Sequence, residues 1–140
     1  MTNQDADTDS DRLDESWRLP NNAELAVLER LLAAEGPGID RLRQQLPGLR
    51  VRPLDQDGCL ELKVENKLRT DVAFAVPVEA TFSVSGGPFD PFSANAHVLL
   101  HIKDGLLHEL EFYTDDPGDH NRLPAPDEMH IFTPYQSGNE

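Results

Sequence analysis

The spacing of apolar residues along the chain changes near residue 50. Before that point, leucines recur three or four positions apart, which is the period of a helix with one buried face. After it, apolar and polar residues alternate, as in strands that bury one face. The order of these patterns predicts an α+β domain, in which two N-terminal helices pack on one face of a mainly antiparallel sheet of four to six strands.

Two helices are predicted before residue 50. Asn21 is suited to cap the first helix, because Glu24 follows it at the capping-box spacing. The buried stripe of this helix consists of Leu25, Leu28, Leu31 and Leu32. The sequence EGPG (35–38) ends it, since Gly and Pro stop helices. A second, shorter helix is predicted from about Ile39 to Leu46.

Strands are predicted around residues 50–53, 59–65, 74–84 and 129–132. Pro77 lies inside the third of these and has no N–H group, which favours a sheet edge or a bulge at that point. The Gly- and Pro-rich loop 85–95 follows. Its Phe89 and Phe92 are predicted to fold back over one end of the core, with a partner contact as the alternative.

The stretch HVLLHIKDGLLHELEFYTDD (97–116) predicts a β-hairpin. Its apolar positions on both strands are even-numbered. In an antiparallel pair, the residue numbers of two facing residues add up to the same value along the whole ladder. An even-with-even register requires an odd number of loop residues, so we predict a three-residue loop at 103–105 with Gly105 at positive φ. In this register Leu100 faces His108, and His97 faces Glu111.

The domain boundaries follow from composition. Residues 1–16 are acidic and polar and are predicted to be a disordered tail, residues 17–133 a single domain, and residues 134–140 a flexible C-terminus. No signal-peptide pattern or run of 18 apolar residues is present, and Cys59 is the single cysteine. These features predict a cytoplasmic protein without a membrane span.

Charge narrows the choice of partners. The chain carries a net charge of −14, which disfavours binding to nucleic acid or anionic lipid and favours a basic protein partner. Residues 104–140 contain nine acidic residues and a single basic one, Arg122. The predicted partner-binding patch comprises Glu109, Glu111, Tyr113, Asp115, Asp116 and Asp119. A merely solvated acidic face has the same composition.

No residue pattern indicates catalysis. His97 and His101 share a strand face but lie about 13 Å apart, too far to clamp one metal ion. Glu109 and Glu111, about 7 Å apart, have the spacing of any solvated E-x-E strand. His108 is expected to be a satisfied core or rim histidine, and the spacing of acids in DDPGDH (115–120), which contains His120, fits no calcium loop. We therefore predict no catalytic residue, no metal and no cofactor.

Two segments resemble a known kind of protein. They are LPGLRVRPLDQDGCLEL (46–62) and VLLHIKDGLLHELEFYTDD (98–116), with their D-G turns and an ELE-type ending. They are similar to segments of small bacterial domains of unknown function, some of a kind associated with toxin-immunity loci. The resemblance implies a helix pair with a sheet and an immunity-like role, and it carries no catalytic residues.

Three functional hypotheses follow. The leading one is a non-enzymatic acidic binding protein, most specifically an immunity-type inhibitor of a basic toxin or nuclease. The second is a small-molecule-binding or enzymatic domain with a pocket between helices and sheet, in which His108 would take part. The third is a structural module that forms a homodimer through an exposed sheet edge. The sequence leaves the oligomeric state open.

Overall fold

A computed structural model of the protein describes residues 17–54, 58–116 and 122–134. The helices are α1 (Asn22–Leu31) and α2 (Ile39–Arg43), and a short 3-10 helix spans Pro126–Glu128. The strands are β1 (Arg50–Pro53), β2 (Leu60–Lys63), β3 (Val78–Phe82), β4 (Ala96–Lys103), β5 (Leu106–Thr114) and β6 (His130–Phe132). The predicted tail 1–16 and residues 135–140 lie outside the described residues.

The strands form one antiparallel sheet of six in the order β1-β2-β5-β4-β3-β6. The long hairpin β4–β5 therefore occupies the centre, and β1 and β6 lie at the two edges. Arg18 pairs with Val51 in an isolated bridge, so the segment before α1 runs along the outer side of β1. The predicted α+β class and antiparallel sheet are confirmed.

Helix α1 begins with the capping box that the sequence predicted. The Asn21 side chain accepts from the Glu24 amide at 2.8 Å, and the Glu24 carboxylate accepts from the Asn21 amide at 2.9 Å. Arg18 donates to both Glu24 oxygens, at 2.7 and 2.8 Å. This hydrogen-bonded ion pair lowers the pKa of Glu24 from its usual value and fastens the segment before the helix to its first turn.

The apolar residues of both helices and of alternate strand positions form one buried cluster. From the helices it contains Val27, Leu28, Leu31, Leu32, Ile39 and Leu42. From the sheet it contains, among others, Val51, Leu62, Val78, Val98, Leu100, Leu110 and Phe112. The leucine stripe predicted for α1 is thus buried, except that Leu25 is only half-buried while Val27 belongs to the core.

The predicted hairpin loop is wrong in length. Lys103 faces Leu106 across a two-residue turn in which Asp104 and Gly105 both have positive φ, 55° and 77°, the signs of a type I′ turn. The odd residue that the even-with-even pattern requires is supplied by a β-bulge. Ile102 faces Leu107 but His101 faces Glu109, which leaves His108 as the extra residue.

The bulge changes the partners of the residues beyond it. Leu100 faces Leu110, so the predicted pairing of Leu100 with His108 is wrong. His97 faces Tyr113, so its predicted pairing with Glu111 is wrong as well. The apolar residues nevertheless remain on one face, because the observed register differs from the predicted one by two residues and side chains alternate between the two faces with a period of two.

The strand predicted from Phe74 to Val84 is shorter than expected. Strand β3 begins at Val78, directly after Pro77, and lies inside the sheet between β4 and β6 rather than at an edge. Pro77 precedes the ladder because it has no N–H group to donate. Helix α2 is also shorter than predicted, ending at Arg43.

The loop after β3 is held in place by an ion pair. Arg122 donates to the carbonyls of Ser83 and Val84 and to both oxygens of Glu128. Phe89 of this loop stacks on His130 of β6, with ring centroids 4.4 Å apart. His130 is exposed and does not belong to the core cluster, so Phe89 folds back onto the sheet edge and the predicted contact with the core is wrong. Phe92 does not fold back, since it is 97% exposed.

Candidate binding face

One face of the sheet carries side chains that do not belong to the core cluster, and we call it the open face. Its central residues are Glu79 and Thr81 of β3, His97, Leu99 and His101 of β4, and Glu109, Glu111 and Tyr113 of β5. Leu99 is opposite both Glu111 and Glu79, so it has a carboxylate residue on each side. His130 and Phe132 continue the face onto the edge strand β6.

Two histidines of the open face are bonded to carboxylates. His101 Nε2 lies 2.8 Å from Glu111 Oε1, and His97 Nε2 lies 2.6 Å from Asp115 Oδ1. The His97 ring also stacks on Tyr113, with centroids 4.6 Å apart. These contacts fix the orientation of Glu111 and Asp115, so the two carboxylates are presented in defined positions.

Charge is distributed unevenly across the sheet. Strands β3 to β6 contain Glu79, Glu109 and Glu111, and their only Lys or Arg is Lys103 at the hairpin turn. Strands β1 and β2 contain Arg50, Arg52 and Lys63 beside Glu61. The centre of the open face is therefore acidic, and its basic side chains lie toward the β1 edge.

The basic border is ordered by Trp17 and Glu61. Arg52 donates to the Glu61 carboxylate at 2.8 Å, and its guanidinium lies 4.3 Å from the centroid of the Trp17 ring. Lys63 Nζ lies 5.6 Å from the same ring. Cation–π contact of this kind holds both cations near the β1–β2 side of the open face.

Tyr113 supplies an aromatic group with a hydrogen-bonding end. Its side chain is 43% exposed, and burial together with the neighbouring carboxylates of Glu79, Asp115 and Glu111 raises the pKa of its hydroxyl. The hydroxyl therefore stays protonated at neutral pH and can donate a hydrogen bond. Tyrosine in such a position is typical of protein–protein interfaces.

His101, Glu109 and Glu111 bring three potential metal ligands together. One ligand atom from each lies within 4.8 Å of the others, and an imidazole with two carboxylates is a donor set that suits divalent transition metals. The sequence analysis excluded His97 and His101 as ligands of one metal ion. It did not predict the group of His101, Glu109 and Glu111, because these residues come from two strands whose register the sequence does not give. The bulge at His108 is what places His101 opposite Glu109.

The predicted acidic patch is assembled in part. Glu109, Glu111 and Tyr113 lie together on the open face of β5. Asp115 lies beyond the end of that strand, bonded to His97, and the Asp116 carbonyl accepts a hydrogen bond from the Thr114 hydroxyl. Asp119 and His120 lie outside the described residues.

Two further side chains that can take part in chemistry, those of Cys59 and His108, lie next to or within strands β2 and β5. Cys59 is buried, and its Sγ lies 3.3 Å from the amide nitrogen and 3.4 Å from the carbonyl oxygen of Phe112. His108 is half-buried, and as the bulged residue it lies near the hairpin turn rather than opposite Leu100.

Comparison of the chain with protein-family models, with curated proteins and with solved structures finds no match in any of the three. Within the part of the chain that the structure describes, no helix is long and apolar enough to cross a bilayer.

Proposed function

We propose that the protein is a non-enzymatic binding protein whose open face docks on a basic protein surface. The observation that carries this proposal is the row formed by Glu111, Leu99 and Glu79, an apolar side chain between two carboxylates on a sheet face outside the core cluster. Tyr113, in the next row, and Phe132, 39% exposed, add aromatic contact area.

The composition of the open face suits an interface. Aromatic and apolar side chains at the centre provide apolar surface whose burial favours binding. The carboxylates around them favour a partner of opposite charge. Four strands with a single lysine among them would repel an acidic partner. The most specific form of the proposal is an immunity-type inhibitor that covers a basic toxin or nuclease, supported by this charge layout and by the resemblance of residues 46–62 and 98–116.

The test is a charge reversal on the open face with a matched reversal elsewhere. Glu109→Lys/Glu111→Lys changes the charge by the same amount as Glu29→Lys/Glu35→Lys, whose two carboxylates are exposed in and after α1. Tagged wild-type protein and both variants are used to capture partners from a lysate of the source organism at low salt. Circular dichroism first establishes that both variants are folded.

A basic protein captured by the wild type and by the α1 variant, but not by the open-face variant, is the expected result. We also expect salt to release it, because complementary charge governs association. An inhibitor should in addition neutralise its partner when the two are expressed together, if the partner alone is toxic. Equal capture by the two reversal variants would show that overall acidity, and not the open face, attracts proteins.

The alternative hypothesis is a ligand pocket between the helices and the sheet, and the side chains there are closely packed. Leu28, Leu31 and Leu42 of the helices and Leu100 of the sheet are all fully buried in the same cluster. Three cavities lined by described residues lie at the surface and are open to solvent. A homodimer formed through β6 is tested separately, by sedimentation velocity over a range of protein concentrations.

A further inference from the structure

All three lysines of this acidic chain come together at one end of the sheet. Lys63, Lys67 and Lys103 line a cavity of about 390 Å³ together with Arg69 and His108. The cavity is completed by Leu62, Val64, Leu106, Leu107 and Asp104. We call it the lysine pocket. Its lining thus has an apolar part, four permanent cations and a single carboxylate.

The pocket exists because two strands stop pairing. Strands β2 and β5 are paired at Leu60 with Leu110 and at Glu61 with Glu109. The next residue of β5 toward the turn is His108, the extra residue of the bulge, and no register pair continues beyond it. The bulge that shapes the hairpin therefore also opens the space between β2 and the hairpin turn, and it places an imidazole at that space.

Gln45 holds the walls of the pocket at a fixed separation. Its Nε2 donates to the Leu68 carbonyl at 2.6 Å and to the Gly105 carbonyl at 2.9 Å, while its Oε1 accepts from the Leu107 amide at 2.9 Å. The side chain is fully buried. One wall, which carries Lys67 and Arg69, is thereby tied to the other, which carries Lys103, before any ligand binds. A preorganised site loses less entropy on binding.

No carboxylate of the described residues pairs with the lysines. Among the described residues, none of the three lysines forms an ion pair or hydrogen bond through its ammonium group, although 26 acidic residues are present in the chain. Arg69 donates to the main-chain carbonyl of Asp104 at 2.8 Å rather than to a carboxylate. Lys67 has a positive φ of 54°, which is uncommon for a residue other than Gly and is found at turns and functional sites.

We infer that the lysine pocket binds a small soluble anion that carries phosphate. Lysine and arginine are the side chains that bind phosphate, and the cavity volume is in the range of small-molecule sites. The anion is expected to be small, because the net charge of −14 repels extended polyanions, such as nucleic acid or an anionic bilayer, more strongly than a small ion bound by the local cations. This inference goes beyond the proposed partner binding and does not depend on it.

The single tryptophan offers a direct readout. Trp17 is the only tryptophan of the chain, and Lys63 Nζ lies 5.6 Å from its ring. Pyrophosphate, which does not absorb at the wavelengths used, is titrated while Trp17 emission is followed, with sodium chloride at matched ionic strength as the reference. Calorimetry of the same titration gives the stoichiometry.

We expect a saturable change with one pyrophosphate per chain. Lys67→Gln/Lys103→Gln should weaken binding by at least about tenfold, because it removes two of the four cations. Arg50→Gln is the control, since Arg50 is an exposed cation of β1 that does not line the pocket. Circular dichroism confirms that each variant is folded, and the single variant Lys103→Gln replaces the double variant if the latter is not.

Two results would overturn the inference. One is a response to pyrophosphate no different from that to chloride, or weakened equally by Arg50→Gln, which would indicate general ionic screening. The other is co-sedimentation of the protein with vesicles of phosphatidylglycerol and phosphatidylcholine, which would identify a lipid headgroup instead of a soluble ligand. Loss of pyrophosphate binding leaves partner capture by the open face unaffected, so the two proposals fail separately.

Discussion

At the residue scale, Glu128 is the carboxylate whose pKa is lowered most strongly among the described residues. It accepts hydrogen bonds from Arg122 at 2.9 and 3.0 Å and from the amides of Gly87 and Ala125 at 2.8 and 2.7 Å. These donors, with Arg122 the largest influence, lower its pKa from 4.5 to about 2. The ionised form is therefore bound more tightly in the folded state than in the unfolded chain.

The sign of the pH dependence follows from this shift. A carboxylate with a lowered pKa contributes its full stabilisation above the unfolded value of 4.5 and loses it as the pH falls toward about 2. We expect Glu128→Gln to reduce the free energy of unfolding by about 1–3 kcal/mol at neutral pH. Urea denaturation at several pH values checks this. The difference from wild type should shrink between pH 4.5 and 2, whereas a constant difference would show that packing and not ionisation is lost.

At the scale of elements, Gln45 connects three parts of the chain that are far apart in sequence. It follows α2, and its side chain bonds the loop after β2 and the hairpin β4–β5. The Thr70 amide donates to the Gly105 carbonyl at 3.0 Å beside it. Buried side-chain hydrogen bonds of this kind fix one arrangement of neighbouring elements, because any other arrangement leaves polar groups unsatisfied.

We expect Gln45→Ala to lower the free energy of unfolding by about 1–3 kcal/mol, because the Leu107 amide loses its acceptor in a buried position. It should also weaken pyrophosphate binding, since the wall with Lys67 is no longer tied to the hairpin. Gln44→Ala is the control, because Gln44 is exposed and only its main-chain carbonyl accepts a bond, from Asn66. Unchanged pyrophosphate affinity in a folded Gln45→Ala protein would contradict the bracing role.

Local pattern was sufficient to predict the capping box of α1 and the burial of alternate residues in the hairpin. Local pattern was not sufficient to predict the bulge. The even-numbered apolar positions require one extra residue in the hairpin, and this residue can lie either in the loop or in a strand. Asp104 and Gly105 both have positive φ and form a two-residue turn, so the extra residue lies in the strand as a bulge. The outward direction of Glu109 and Glu111 was predictable from alternation, but their histidine neighbours were not, since these depend on the register.

At the scale of the whole molecule, the positions of the charged side chains in the fold were the feature least predictable from the sequence. Of the acidic residues predicted to form a patch, Glu109 and Glu111 lie together on the open face, and Asp119 lies outside the described residues. The lysine pocket has no local signature, because Lys67 and Lys103 are separated by more than thirty residues. Only the topology, which places the loop after β2 beside the hairpin turn, brings the lysines together in a chain of net charge −14.

The open face also places like charges close together. Glu61 and Glu109 are direct neighbours across β2 and β5. Glu61 is bonded to Arg52, but Glu109 accepts no hydrogen bond from another described residue. Facing carboxylates destabilise a sheet, so Glu109 is expected to reduce the stability of the free protein. A surface residue that costs stability is consistent with a role in binding.

We therefore expect Glu109→Gln to stabilise the free protein by a few tenths to about 1 kcal/mol at low salt, and by less at high salt, because screening weakens the repulsion. The same substitution should weaken association with a basic partner. Thermal unfolding at about 20 mM and about 500 mM sodium chloride checks the first part. Glu111→Gln is the informative comparison, because it weakens the hydrogen bond to His101 and should not stabilise. If Glu109→Gln destabilises the protein at both salt concentrations, Glu109 holds the sheet together, and the case for the open face as an interface then depends on Glu79, Leu99 and Tyr113.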